Sequence, residues 1–93
     1  MYGTVARTRV KPENRAALQA VFERQTERDV AGYVAAYTLF ENDSDTAWLF
    51  AIFTDKASYE KNADDPAQHE QFVAYRALME EDPEWHDGEI EGM

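Results

Sequence analysis

Residues Gly32 to Asp55 read GYVAAYTLFENDSDTAWLFAIFTD, two strand-forming runs around a polar turn, and neither face of either run is polar. In an antiparallel hairpin at the surface of a small domain, apolar and polar residues alternate because one side meets water. With Asn42-Asp43-Ser44-Asp45 as the loop, Leu39 falls opposite Trp48, Tyr37 opposite Phe50 and Ala35 opposite Ile52 on one face. The other face then sets Phe40, Thr38, Ala36 and Val34 against Ala47, Leu49, Ala51 and Phe53. A chain of 93 residues has helices enough to cover one side of a sheet. The second side needs its own cover, and another copy of the chain is the simplest candidate, which makes a homodimer the expected assembly.

The flanking segments supply the rest of the fold. Tyr2 to Val10 carries β-branched Thr4, Val5, Thr8 and Val10, and Lys11-Pro12 closes it, so it reads as a first strand. From Glu13 to Arg28, Leu18, Val21 and Phe22, with Ala17 and Gln25 beside them, keep the spacing of one buried helical stripe. After the hairpin, Thr54 or Asp55 caps a short helical turn through Tyr59 and Lys61. Asp65-Pro66-Ala67-Gln68 joins a carboxylate cap, a proline at the first helical position and a glutamine that answers the cap. The spacing predicts a helix from there through Phe72, Tyr75, Leu78 and Met79, stopped by acids and Pro83. Within Trp85 to Met93 a short last strand is expected around Ile90. The order βαββαβ is that of a ferredoxin-like α+β sandwich, a single domain over residues 1–93 with both helices on one face of an antiparallel sheet.

Charge narrows the function classes. Of the net −10, residues 1–40 hold six Lys/Arg against four Asp/Glu, and residues 41–93 hold three against fifteen. Phosphate binding needs a basic stripe, so nucleic acid is not an expected partner. Between Glu80 and Glu91 lie seven acids and no Lys or Arg, but the order of a calcium loop is missing, and the run reads as a solvated face. The absence of cysteine removes disulfides and thiolate metal sites. No stretch approaches the ~20 apolar residues of a membrane span, and no leader-like segment opens the chain, so the expected location is the cytoplasm.

Several segments resemble the small antibiotic biosynthesis monooxygenase-like proteins: Tyr2-Gly3-Thr4-Val5-Ala6-Arg7, Gly32-Tyr33-Val34-Ala35-Ala36-Tyr37, Trp48 to Phe53 running into Thr54-Asp55-Lys56-Ala57-Ser58-Tyr59, and Asp82-Pro83-Glu84-Trp85-His86-Asp87-Gly88. The resemblance implies a dimeric α+β barrel in which two sheets pair face to face, with a pocket between each sheet and its own helices. It further implies an oxygenase without a cofactor, acting on a quinol-like or anthrol-like compound. Such chemistry asks for a dry aromatic pocket, a group that helps ionise a hydroxyl and a donor for the developing oxyanion. A non-catalytic ligand-binding or structural homodimer is the alternative from another class. Haem handling is a third, since Tyr59 precedes His69 by the ten residues that separate a porphyrin contact from the iron ligand in the haem-degrading branch. That branch uses a tryptophan in place of Tyr59 and an asparagine on the first strand, and this chain has neither.

His69 and Tyr59 are the candidate catalytic residues, and Arg7, Tyr37, Phe53, Phe72 and Arg76 the candidate ligand contacts. His69, Phe72, Val73 and Arg76 keep helical spacing along the border of an apolar stripe, which sets His69 either toward a pocket as a base or outward to solvent. Tyr33, Tyr37, Trp48 and Phe50 share one sheet face, and their bulk suits a sheet-to-sheet interface. The smaller Ala36, Thr38 and Ala51 on the other face let a helix approach or leave room for a ligand. Arg7 and Arg9 share one side of the first strand, where the acid-rich second half offers partners. His86, between Trp85 and Asp87, reads as part of a closing structural motif. No metal ligand set is expected.

Overall fold

The computed structural model describes residues 1–26 and 29–93. Four strands, β1 (Tyr2–Arg9), β2 (Tyr33–Phe40), β3 (Thr46–Phe53) and β4 (Glu84–Glu89), form one sheet in the order β2-β3-β1-β4. Every neighbouring pair is antiparallel, so the chain has the ferredoxin-like α+β topology. The five residues 41–45 between β2 and β3 fix the hairpin register: Leu39 meets Trp48, Tyr37 meets Phe50 and Ala35 meets Ile52, as the loop position dictates. Asp43 turns the chain at φ 57°, and the Ser44 hydroxyl accepts from the Thr46 N–H at 2.9 Å.

The register breaks at the start of β2. Tyr33, not Val34, pairs with Phe53, because Val34 is an extra residue in a bulge. Tyr33 therefore joins the helix side of the sheet, its ring edge-on to Phe53 at 5.9 Å, rather than sharing a face with Tyr37, Trp48 and Phe50 as expected. Just before it, Gly32 sits at φ 78°, where a Cβ would come within 2.4 Å of the Ser58 side chain. Only glycine lets this turn pass so close to the start of the next helix.

A 3-10 turn at Pro12–Asn14 leads into α1 (Arg15–Thr26); α2 (Lys56–Ala63) and α3 (Pro66–Arg76) follow the hairpin. The expected continuation of the first helix to Arg28 lies outside the described residues. Asp55 caps α2 by accepting from the Ser58 N–H at 2.8 Å, and those bonds hold its carboxyl below the ordinary carboxylate range. Asp65 caps α3 by accepting from the Ala67 N–H at 2.8 Å, with Pro66 in the first turn. The helix stops at Arg76, three residues short of expectation. Leu78 and Met79 continue in tighter turns, and the Arg76 guanidinium donates to the Met79 carbonyl and to Asp82. The last strand also differs from expectation: it ends at Glu89, before Ile90, and its side chains are almost all exposed. It forms because the main chain of β1 offers an edge, not because it buries apolar residues.

One face of the sheet builds the core. Ala6, Val10, Ala47 and Leu49 from this face meet Leu18 and Val21 of α1, Tyr75 of α3, and Met79. Thr8, fully buried, donates to the Glu81 carbonyl at 2.9 Å, so its polar atom costs little there. The opposite face carries Arg7, Arg9, Tyr37, Leu39, Trp48, Phe50 and Ile52. Of these, Tyr37 is 64% and Leu39 49% exposed. Arg9 reaches Asp45 at 3.6 Å, one of the acid-rich partners expected of it.

Candidate functional site

Between the sheet and α1, α2 and α3 lies a cavity of about 450 Å³, within the usual range for a small-molecule site. Small side chains make the space. Ala36, Thr38 and Ala51 form part of its floor, where larger residues would fill the space. Two aromatic groups wall it. In one, Tyr59 stands 5.4 Å from Tyr2 and 5.6 Å from Phe53; in the other, Tyr75 stands 5.2 Å from Phe22 and 5.3 Å from Phe72. Exposed His69 and Trp85, the latter 41% accessible, mark the open side.

Polar groups interrupt the aromatic wall, Thr4, Gln19, Gln68 and His69 among them, together with Tyr59, Asn62 and Asp87. The Tyr59 hydroxyl, carried by α2, donates to Asp87 Oδ1 on β4 at 3.0 Å. Burial first, and then the Asp87 carboxylate, push its phenol up to about 12. Burial, with the neighbouring Tyr59, pushes the Tyr75 phenol up as well. Neither phenol becomes an anion near neutral pH. Because the Tyr59 proton is committed to Asp87, its oxygen presents lone pairs to other donors.

Asn62 lies one helical turn beyond Tyr59 on α2, and it is the one buried residue of that helix. It is 9% exposed, lines the cavity, and donates through Nδ2 to Gln68 Oε1 at 3.4 Å. Its Oδ1 is buried and has no hydrogen-bond partner. A buried acceptor left unpaired costs about 1–3 kcal/mol, so its place in a cavity wall points to a ligand donor.

The expected site residues divide cleanly. His69, Tyr59, Phe53, Phe72 and Tyr37 border the cavity. Tyr37 does so from a strand position whose register directs its side chain to the other face. Arg7 and Arg76 do not border it: Arg7 belongs to the opposite face of the sheet, and Arg76 is held by Asp82 at 2.7 Å. His86, set apart at the sequence level, pairs with Glu84 at 3.1 Å away from the cavity. Among the described residues His69 is the sole imidazole on the cavity and thus the sole candidate of its kind to ligate a haem iron. Asn62, Tyr75, Trp85 and Asp87 also line the cavity and were not singled out from sequence as site residues.

No protein-family model matches the chain, and no curated protein matches it by sequence. Solved structures do match it. SnoaB, a cofactor-independent oxygenase from Streptomyces nogalater, superposes with a TM-score of 0.80 at 23% identity, covering 99% of this chain and 94% of SnoaB. A Chloroflexus aurantiacus protein assigned as an antibiotic biosynthesis monooxygenase gives 0.74 at 20% identity, over 99% of this chain and 94% of its own. One from Deinococcus radiodurans, assigned likewise, gives 0.76 at 12% identity, over 100% and 95%. At these identities the likeness establishes a shared fold, that of structures named as antibiotic biosynthesis monooxygenases.

Proposed function

We propose that this chain is a cofactor-independent monooxygenase that acts, as a homodimer, on a small aromatic compound of the quinol or anthrol type. The observation that carries the reading is the unpartnered Oδ1 of buried Asn62 in the wall of an aromatic cavity. A planar quinol fits such a space: its rings meet Phe53, Phe72 and Tyr75, and one hydroxyl donates to Asn62 or to the Tyr59 oxygen while the hydroxyl that ionises faces His69. The likeness to SnoaB supports the class of reaction.

In this reading the substrate carries the reactivity and the protein lowers the cost of ionising it. His69, at the open side where water can exchange its proton, takes the hydroxyl proton. The resulting anion gives one electron to dioxygen, forming superoxide and a substrate radical. These combine at a ring carbon, and loss of water from the peroxide leaves a carbonyl. One dioxygen is consumed for each carbonyl and each water formed, with no external reductant. The apolar walls limit water and so prevent competing protonation of the carbanion form.

The dimer reading rests on the other face of the sheet. Tyr37, Leu39 and Phe50, at 64%, 49% and 36% exposure, with Val34 at 45%, make an apolar surface that water covers at a cost of about 25 cal/mol per Å². Oxygen uptake tests the catalytic reading. A panel of anthrols and hydroquinones from pH 6 to 9 should show protein-dependent uptake with at least one compound; uptake equal to the rate without protein throughout would refute it. Tight binding of an aromatic with no uptake would favour a ligand-binding module.

A further inference from the structure

The cavity has a charge asymmetry that the reaction class alone does not require. Asp87 stands on β4 directly across from Thr4, on the cavity side of the sheet, with Oδ1 engaged by Tyr59 at 3.0 Å. None of the described lysines or arginines lines the cavity. Three of the cations elsewhere in the fold are paired with acids: Arg76 with Asp82, Arg9 with Asp45 and Lys11 with Glu80.

We propose that Asp87 makes the cavity select uncharged aromatic hydroxyl compounds and reject analogues that carry a carboxylate. This inference rests on the reading of the cavity as an aromatic-ligand site and narrows its substrate class. The hydrogen-bonding pattern supports it. With the Tyr59 proton turned to Asp87, Asn62 Oδ1 offers an acceptor to a neutral hydroxyl, while no lysine or arginine among the lining residues meets a ligand carboxylate. Electrostatics acts in the same direction. Asp87 is solvent-exposed, and two like charges about 8 Å apart at an effective dielectric constant of about 40 to 80 weaken binding roughly 2- to 6-fold. Passing a hydroxyl proton to His69 creates two opposite charges within the cavity and leaves its sum unchanged. A ligand carboxylate arrives without such a partner.

Isothermal titration calorimetry at pH 7.5 with 2-naphthol and 6-hydroxy-2-naphthoate, which share one ring system, tests the proposal. Wild-type protein should bind 2-naphthol about fourfold more tightly. Asp87→Asn should narrow that ratio below twofold by strengthening the naphthoate. Tyr59→Phe keeps the carboxylate and should keep the ratio. So should Glu13→Gln, which removes one acid from an exposed turn far from the cavity and controls for the overall charge of −10. Circular dichroism confirms that each variant is folded. Equal binding of the two probes by wild type, or an unchanged ratio in Asp87→Asn, would overturn the selectivity while leaving the aromatic site standing. Binding of neither probe would overturn both.

Discussion

Replacing Asn62 with leucine should make the protein more stable and less active. The side chain is 9% exposed and its Oδ1 lacks a donor, while Nδ2 makes only a long bond to Gln68 at 3.4 Å. Removing an unsatisfied buried acceptor recovers about 1–3 kcal/mol, against roughly 0.5–1 kcal/mol for the bond to Gln68. A net gain of about 1 kcal/mol raises Tm by about 4–8 °C in a domain of this size. Scanning calorimetry at one fixed protomer concentration measures it, since self-association also moves Tm. With an aromatic phenol at 100 times its Kd, wild type should gain a further ~2.7 kcal/mol from binding, whereas Asn62→Leu should gain much less. Its oxygen uptake should fall at least tenfold. A variant that melts several degrees below wild type, or keeps full uptake, would show that Asn62 is an ordinary structural residue.

Three other outcomes follow from particular contacts. Burial raises the phenols of Tyr59, Tyr75 and Tyr33 above 10.0, so above that pH the unfolded chain loses protons that the folded chain keeps. Stability should be fully present below pH 10 and decline as pH rises toward about 12, seen as a falling urea midpoint and a lagging tyrosinate absorbance in the folded protein. Asp65→Ala removes the bond to the Ala67 N–H that starts α3; it should cost about 1 kcal/mol in urea titrations and weaken phenol binding, because His69, Phe72 and Tyr75 ride on that helix. Tyr37→Glu with Phe50→Asp, a cross-strand pair on the exposed face, should shift the sedimentation coefficient from dimer to monomer at micromolar concentration; an unchanged coefficient would place the contact elsewhere.

The central hairpin could be read from the chain because a short polar loop and a period of two leave few registers, and the alternative registers turn the same residues outward. That reasoning failed at Tyr33. A bulge adds one residue without any marker in the sequence, and the parity of everything before it changes. The caps at Asp55 and Asp65 were legible because carboxylates at helix starts bond locally. The end of α3 was not, since Leu78 and Met79 continue the apolar spacing while turning more tightly. Strand β4 is held mainly by main-chain bonds to β1, so its exposed side chains carry no pattern to detect. The cavity was half legible. Its aromatics and His69 follow from helical and strand periodicity, but Asn62 is a polar residue in a polar-looking helix, and only its burial reveals it. Asp87 matters through a contact with Tyr59 across 28 positions of sequence, which no local signal reports.

Alternation of side chains across the sheet gives the most direct test of where a ligand binds. In methyl-labelled protein titrated with 2-naphthol, the account predicts shifts at Leu49, Ala51, Ala36 and Ala63, which line the cavity between sheet and helices. The methyls of Leu39, Val5 and Ile52, on the opposite face, should stay unmoved. Shifts confined to those three, or none at all at millimolar ligand, would contradict it.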